Sequence, residues 1–215
     1  MAEQTDTAAR VELTSPDELR ELLGEVKPRA RDKERPRLHP HDRAWLAASP
    51  FCLIATSDAE GNCDVSPKGD PAGQLAHVLD DTTIAIAERP GNRRADGYFN
   101  VLSNPHAGLL FLIPGRNETL RINGRARLLR DAPYFDDLVV KGHRPILVLE
   151  LAIETIFFHC AKAFLRSELW TPGTWNPGVL PSHARITKDV MATPESVEEL
   201  EAYYGASYAE QLYKC

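Results

Sequence analysis

Between Leu120 and Leu128 the chain alternates strictly. Leu120, Ile122, Gly124, Ala126 and Leu128 interleave with Arg121, Asn123, Arg125 and Arg127. A period of two residues puts one set on each face of a strand, so this segment predicts a β-strand with one buried and one wetted face. That pattern is typical of an antiparallel barrel strand. Shorter apolar runs precede it at Phe51–Thr56, Thr83–Ala87 and Gly108–Ile113, and the strand itself is expected over Glu118–Leu129. The first run turns through Ser57–Asn62 into a further strand that begins at Cys63. Ile146–Ile153 and Thr155–His159, rich in β-branched and aromatic residues, read as the last strands. Roughly six antiparallel strands with short helices between them predict a small barrel of the mainly β (α+β) class. A doubly wound sheet is disfavoured, because long amphipathic helices do not alternate with the strands.

The helices are expected at the edges of this region. Ser15-Pro16-Asp17-Glu18 has a capping serine, a proline suited to the first helical position and a glutamate able to close a capping box. That helix should carry Leu19, Leu22, Leu23 and Val26 and stop before Pro28. Ala30–Arg37 is highly charged, with Asp32 and Glu34 among its basic residues, and reads as a solvated linker. Asp42–Ala48 and Pro133–Val140 read as short helices, and Ala161–Trp170 as a helix or an irregular bend. Thr171–Ser182 is rich in proline and glycine and reads as loop. Thr193-Pro194 begins another helix with Val197, Leu200 and Tyr204 on one face, and Ser207 to Glu210 restarts a last turn.

Bulk composition excludes several functions. The chain of 215 residues is 43% hydrophobic and 26% charged, ordinary for a soluble globular protein, and long enough to bury a core. Its net charge of −6 argues against nucleic acid as the main partner. No apolar run approaches the roughly 20 residues needed to span a bilayer. Met1–Thr7 is polar, without a secretory apolar core, so a cytoplasmic location is expected. Cys52, Cys63, Cys160 and Cys215 form no C-x-x-C pair and are expected to be reduced thiols. Antiparallel pairing would set Cys63 away from Cys52. The closest histidine pair, His39-Pro40-His41, reads as an exposed helix entry rather than a metal site, and no metal is expected.

Three segments carry candidate chemistry. Arg93 and Arg94 follow Gly91-Asn92, a plausible cap, at the start of a helix that runs through Tyr98, Val101 and Leu102. Two cations in a first turn oppose the helix macrodipole, which suits a bound phosphate held by guanidinium forks and backbone N–H groups. The plainer alternative pairs both arginines with Glu88 and Asp96 at the surface. The second segment, Ser66-Pro67-Lys68-Gly69-Asp70, closes a strand with a hydroxyl, a rigid proline and a lysine, or is simply a turn. A lysine there could stabilise charge on a reduced flavin. The third segment holds His159, Cys160, Lys162, Arg166 and Trp170. His159 and Cys160 are adjacent on a strand and point to opposite faces, so they make a poor nucleophilic dyad. Lys162 and Arg166, four apart, would share a helix face toward an anion or toward Glu150 and Glu154. The chain has no G-x-S-x-G, G-x-x-x-x-G-K-[ST] or G-x-G-x-x-G segment.

Taken together, these segments resemble the FMN-binding split β-barrel of the pyridoxamine 5′-phosphate oxidase superfamily. The resemblance rests on Phe51-Cys52-Leu53-Ile54-Ala55-Thr56, on Asp64 to Asp70 (D-V-S-P-K-G-D), on Asn92-Arg93-Arg94 before a helix closing in Ser103-Asn104-Pro105, and on Leu120 to Ala126. A later H-C-x-K-A-x-x-R-S-x-L-W segment, His159 to Trp170, is similar to an uncharacterised bacterial branch of that superfamily. The resemblance implies a six-stranded antiparallel split β-barrel over residues 41–170. An N-terminal helical extension and linker would occupy 1–40, and a C-terminal loop and helix packed on the barrel 171–215. It implies a homodimer with FMN at the interface. Asn92, Arg93 and Arg94 would bind the phosphate, and Val65, Ser66 and Lys68 would line the ring. Ala87 and Glu88 would run beside the cofactor, and Thr119 would replace a glutamine facing the ring. Lys162, Arg166 and Trp170 would reach flavin or substrate from the other subunit. The oxidases proper end in an R-x-H-D-R-like segment, which Ser167 to Pro172 replaces, so vitamin B6 oxidation is not expected. The expected activity is an FMN-dependent oxidation or reduction of a small substrate, with no side chain standing out as a required acid or base. An F420-binding protein, a haem protein with His159 or His106 as axial ligand, and a non-catalytic flavin-binding module are the alternatives.

Overall fold

Residues 10–213 are described by the structure, a computed structural model. The polar stretch Met1–Thr7 and the thiol of Cys215 lie outside them. The chain divides into two units, Met1–Glu34 and Arg35–Cys215. In the first, Ser15 Oγ accepts the Glu18 N–H at 3.2 Å, and helix α1 runs over Pro16–Leu23. The Glu18 carboxylate turns to Thr14 instead of Ser15 N–H, accepting its N–H at 3.1 Å, so the return half of the box lands one residue early. Gly24, at φ 73°, ends α1 and leaves Val26 outside it. A single turn, α2, follows at Pro28–Arg31.

The second unit opens with an anchor where the charge pattern predicts a solvated linker. Arg35 bridges Ile156 through backbone hydrogen bonds of 3.1 and 2.8 Å. Its guanidinium forks onto the Asp42 carboxylate at 2.6 and 3.0 Å. Asp42 is fully buried and also accepts the His39 N–H at 2.7 Å, which closes a capping box. Helix α3 therefore spans Pro40–Ala48, starting two residues before the predicted Asp42, and His39 and His41 are its exposed entry.

Chain order then runs β1 (Phe51–Ser57), β2 (Cys63–Gly69), β3 (Ala76–Val78), β4 (Thr83–Ala87), α4 (Asp96–Ser103), β5 (His106–Leu112), β6 (Thr119–Leu129) and β7 (Val148–His159). All pairings are antiparallel, in the order β2-β1-β5-β6-β7-β4-β3. The sheet has seven strands rather than six. The short β3 is added, and the two apolar runs after residue 145 are one strand. Glu154 interrupts their alternation because the register of β7 against β6 shifts between Asn123 and Gly124. Gly124 is required there, since a Cβ on it would lie 2.0 Å from the Ala152 carbonyl oxygen. Cys63 pairs with Ser57 and Cys52 with Lys68, so the two cysteines stand apart as expected. Burial pushes the Cys52 thiol up to about 12, which keeps it protonated and unreactive.

The strand order leaves β2 and β3 as the two edges, yet the sheet curls around one core. Cys52 and Ile54 of β1, Ile84 and Ile86 of β4, and Leu149 and Leu151 of β7 join Leu46 of α3 in it. A second cluster on the other face of β4 seats Ala85 and Ala87 against Phe135 and Leu138 of a 3-10 turn, where a short helix was predicted. Two ion pairs bridge the chain leaving β2 to the chain leaving β4. Arg89 Nε meets the Asp70 carboxylate at 2.7 Å with both side chains largely buried, and Lys68 pairs with Glu88. Beyond β7 come α5 (Lys162–Ser167), α6 (His183–Val190), α7 (Val197–Tyr203) and α8 (Ala206–Ala209). Helix α6 was missed by the sequence reading, although Ser182 caps it by accepting the Arg185 N–H at 3.3 Å. Helix α7 starts at a Ser196/Glu199 capping box rather than at Thr193-Pro194. No helix among the described residues is long and apolar enough to cross a membrane.

Two stability predictions follow from the bulge and the seam. Gly124→Ala forces the β6–β7 backbones apart and should cost roughly 3 kcal/mol or more in denaturant unfolding. Arg89→Met strands the buried Asp70 carboxylate and should cost about 3–5 kcal/mol, much of it recovered by adding Asp70→Asn. Equal losses in the single and double variants would refute the bridging role of the pair.

Candidate functional site

The seam between the barrel edges opens into a cavity of about 280 Å³. Ile54 and Thr56 of β1, Asp64 to Lys68 of β2, Leu149 of β7, and Glu88, Asn92 and Arg94 to Tyr98 line it. Strand β2 supplies these groups because it is an edge. Pro67 lacks an N–H to donate and is tolerated in an edge strand, where it pairs with Leu53. Ser66-Pro67-Lys68 is thus strand, not turn, with its outer edge facing the site. Helix α4 is pinned beside it by Asn100, whose Nδ2 donates to Thr56 Oγ1 at 3.1 Å and to the Asp64 carboxylate at 2.9 Å. Gly97 allows this approach, because a Cβ there would lie 3.2 Å from Thr56 Oγ1.

The arginine pair sits differently from the sequence expectation. Helix α4 begins at Asp96 with Ala95 as its cap residue, so Arg93 and Arg94 precede the first turn rather than occupy it. Asn92 does not cap α4. Its Oδ1 accepts the Arg94 N–H at 3.1 Å and shapes the loop. Arg93 and Ala95 are both left-handed, at φ 61° and 60°, a conformation that costs of order 1–3 kcal/mol in a non-glycine residue and clusters at functional sites. Consecutive arginines consequently face different spaces. Arg94 lines the first cavity, while Arg93 lines a second one of about 720 Å³. The surface-pairing alternative holds for Arg94, which meets Asp96 at 2.8 Å, but Arg93 makes no ion pair among the described residues.

Electrostatics at the shared wall centre on Glu88. Its carboxylate pairs with Lys68 and accepts the Tyr98 hydroxyl, and the Lys68 ammonium lies 4.9 Å from the Tyr98 ring centroid. Burial first, and then the Glu88 charge, hold the Tyr98 phenol far above the ordinary tyrosine range, so it donates a hydrogen bond and does not act as a base. Lys68 is therefore a partly compensated cation.

Of the residues expected to bind a cofactor, Val65, Ser66, Lys68, Glu88, Asn92 and Arg94 come together on the first cavity. Ala87 and Thr119 are buried and line neither cavity. Lys162, Arg166 and Trp170 line neither as well. Trp170 Nε1 donates to the Arg116 carbonyl at 2.7 Å, and its ring stacks near Phe164. His106 and His159, the possible haem ligands, are likewise on neither cavity; His106 Nε2 lies 3.4 Å from Glu154. Sequence reading missed Tyr98, Asp64 and the C-terminal wall of the second cavity. In the sequence Tyr98 stands out only as a position along the helix that follows the arginines.

Comparison with known proteins bears on the family. No curated protein matches the chain. Solved structures similar to part of it include HupZ from Group A Streptococcus, at 19% identity over 56% of this chain and 93% of that one, TM-score 0.46. An FMN-binding protein from Syntrophomonas wolfei subsp. wolfei has 15% identity, over 56% and 89%, TM-score 0.42. HutZ, the haem storage protein from Vibrio cholerae, has 15% identity, over 57% and 94%, TM-score 0.41. The family model described as pyridoxamine 5′-phosphate oxidase matches residues 38–160, more than half of the chain, from the entry to α3 through the end of β7. That span contains the curled antiparallel sheet and every residue of the first cavity, and the chain belongs to the pyridoxamine 5′-phosphate oxidase family.

Proposed function

We propose that the chain binds FMN at the first cavity and acts as an FMN-dependent oxidoreductase on a small substrate. The observation that carries this reading is the convergence of Ser66, Lys68, Asn92 and Arg94 with the start of α4 on one cavity. The donor set fits the group. N–H groups of a first helical turn have no intrahelical partner and suit an anion, and a guanidinium adds a fork beside them. The Arg94–Asp96 pair is well exposed, so it is weak and leaves donors for a phosphate. Ser66 and Lys68 supply a hydroxyl and an ammonium at the other side of the cavity. Bound FMN supplies two-electron exchange with the substrate.

The chain's own part is to hold charge in place. Glu88 anchors Lys68 at the end of β2, where the ammonium would offset negative charge gained by a reduced ligand. Tyr98 holds Glu88 in turn, and its phenol stays protonated. No side chain on the cavity is set as a general acid or base for the reaction.

At about 280 Å³ the cavity is a little below the ~300–1,000 Å³ usual for ligand sites, so one chain encloses part of the cofactor. A homodimer would complete it. Val65 of β2 and Phe99 and Leu102 of α4 are large exposed apolar residues beside the site, a face suited to a second copy. Lys162 and Arg166, exposed on α5, are the candidates to reach the other copy's cofactor.

Purified protein is expected to be yellow, to release FMN on denaturation, and to run at twice the chain mass in light scattering. Arg94→Ala should weaken FMN binding by about tenfold or more, the scale of one lost charge-assisted contact. NADH or NADPH should bleach the bound flavin in an enzyme, whereas a pure binding module stays oxidised. Parallel titrations with F420 and haem check the cofactor. Colourless protein that takes up no added FMN overturns the reading.

A further inference from the structure

Two carboxylates cross the seam in the same way. Glu88 pairs with Lys68 and accepts the Tyr98 hydroxyl, and all three residues line the first cavity. Asp70 pairs with Arg89 at 2.7 Å and accepts the Tyr213 hydroxyl at 2.9 Å. Each carboxylate is thus held by one cation and one phenol. The two sets are also neighbours in the chain, since Arg89 follows Glu88 and Asp70 stands shortly after Lys68. They differ in where the phenol comes from. Tyr98 belongs to α4, beside the sheet, whereas Tyr213 reaches Asp70 across 143 positions of sequence.

The C-terminal segment is held at Tyr213 more than by core packing. Helix α8 buries no side chain, and residues 205–212 are all exposed, while Tyr213 is half-buried. The second cavity lies between this segment and the chain entering β7, with Tyr208 and Leu212 from the one and Ile146 and Leu147 from the other. A segment with so few buried contacts opens at low free energy. Its dock, by contrast, is a preformed turn. Val140 and His143 exchange backbone hydrogen bonds of 3.2 and 2.9 Å. Lys141 and Gly142 between them are left-handed, at φ 49° and 81°, as in a tight type I′ hairpin turn. The Tyr213 ring stacks on His143 with centroids 6.2 Å apart, and the Lys141 ammonium lies 5.2 Å from the ring centroid. Burial first, and then the bond to Asp70, raise the Tyr213 phenol above the ordinary tyrosine range, so it acts as a donor.

Two paths lead from this dock to the first cavity. Through side chains, Tyr213 holds Asp70, Asp70 holds Arg89, and Arg89 adjoins Glu88. Through the backbone, the turn runs on to Leu147, whose carbonyl accepts the Glu88 N–H at 2.9 Å. Both end at the residue that anchors Lys68.

We propose that residues 205–213 form a latch on the cofactor site. With Tyr213 seated on Asp70 and His143, the seam is held and Glu88 keeps Lys68 in place. With the latch open, the seam loosens and the cofactor leaves faster. Tyr213 is then a positioning residue that acts on the cavity through Asp70, Arg89 and Glu88. The effect on a cofactor rests on the flavin reading, but the coupling of the C-terminal segment to Glu88 does not.

The test compares the full chain with Tyr213→Phe, which keeps the ring on His143 and loses the donor, and with Tyr213→Ala, which loses both. Hydrogen exchange is followed by NMR without cofactor at the Asp70 and Glu88 amides, which donate to the Pro50 and Leu147 carbonyls, with β6 amides as reference. Dissociation of added FMN is read from flavin fluorescence. Tyr213→Phe should speed exchange at Asp70 and Glu88 by about tenfold or more, the scale of one hydrogen bond to a charged group, and Tyr213→Ala by more still, with β6 unchanged. FMN should leave faster in the same order. Exchange at Glu88 that is unchanged in both variants overturns the proposal, even where the C-terminal segment itself loosens. So does an equal rise across β6, the mark of general destabilisation, or FMN release at the wild-type rate when exchange at Glu88 has risen. Protein that takes up no FMN yet shows the graded exchange at Asp70 and Glu88 keeps the latch and defeats only the flavin reading.

Discussion

The seam between the two edges of the sheet is the constraint on which the site depends. Strands β2 and β3 end the hydrogen-bonded order, so backbone pairing cannot finish the barrel. Side chains span the opening instead, with Asp70 on Arg89 and Lys68 on Glu88. A largely buried ion pair carries a desolvation penalty comparable with its Coulomb gain, and it persists only when other hydrogen bonds satisfy the charges. Here Arg89 also donates to the Leu138 carbonyl at 3.0 Å, and Asp70 accepts from Tyr213. Arg89 Nη1 is still left buried without a partner among the described residues. Apolar residues would close such a seam at less electrostatic cost. Charged ones span it and keep the cleft beside them polar.

Edge position explains why the D-V-S-P-K-G-D segment works as it does. Proline in a central strand would remove a ladder hydrogen bond, but in β2 it faces the unpaired side. The outer edge of β2 thereby remains unable to recruit another strand over its whole length. The same segment carries Ser66 and Lys68 to the cavity and Asp70 to the buried pair. One short strand therefore serves edge protection, the bridging of the seam and the lining of the cavity together.

Much of the fold was legible because period-2 alternation is a local signal. The alternation of β6 and the apolar runs of β1, β4 and β5 located most of the sheet. What escaped were features set by distant partners. The bulge opposite Gly124 joins two apparent strands into β7, and only the approach of Ala152 shows why glycine stands there. Strand β3 is three residues long, too short to display a period. Arg35 looked like one charge in a solvated run, yet a buried Asp42 and the free edge of β7 claim it. At the site, the residue types and loop were visible, but the direction of each arginine was not. That depends on the left-handed turns at Arg93 and Ala95, which neither residue type predicts.

Those turns have a chemical consequence. Two adjacent arginines on one anion would concentrate positive charge at a single point. Split across a shared wall, they add one guanidinium to each cavity, with Glu88 of that wall held by Lys68 and Tyr98. The backbone strain at residues 93 and 95 is then the local cost of directing neighbouring side chains into different cavities, and the pinning of α4 by Asn100 keeps the helix that follows this loop in place.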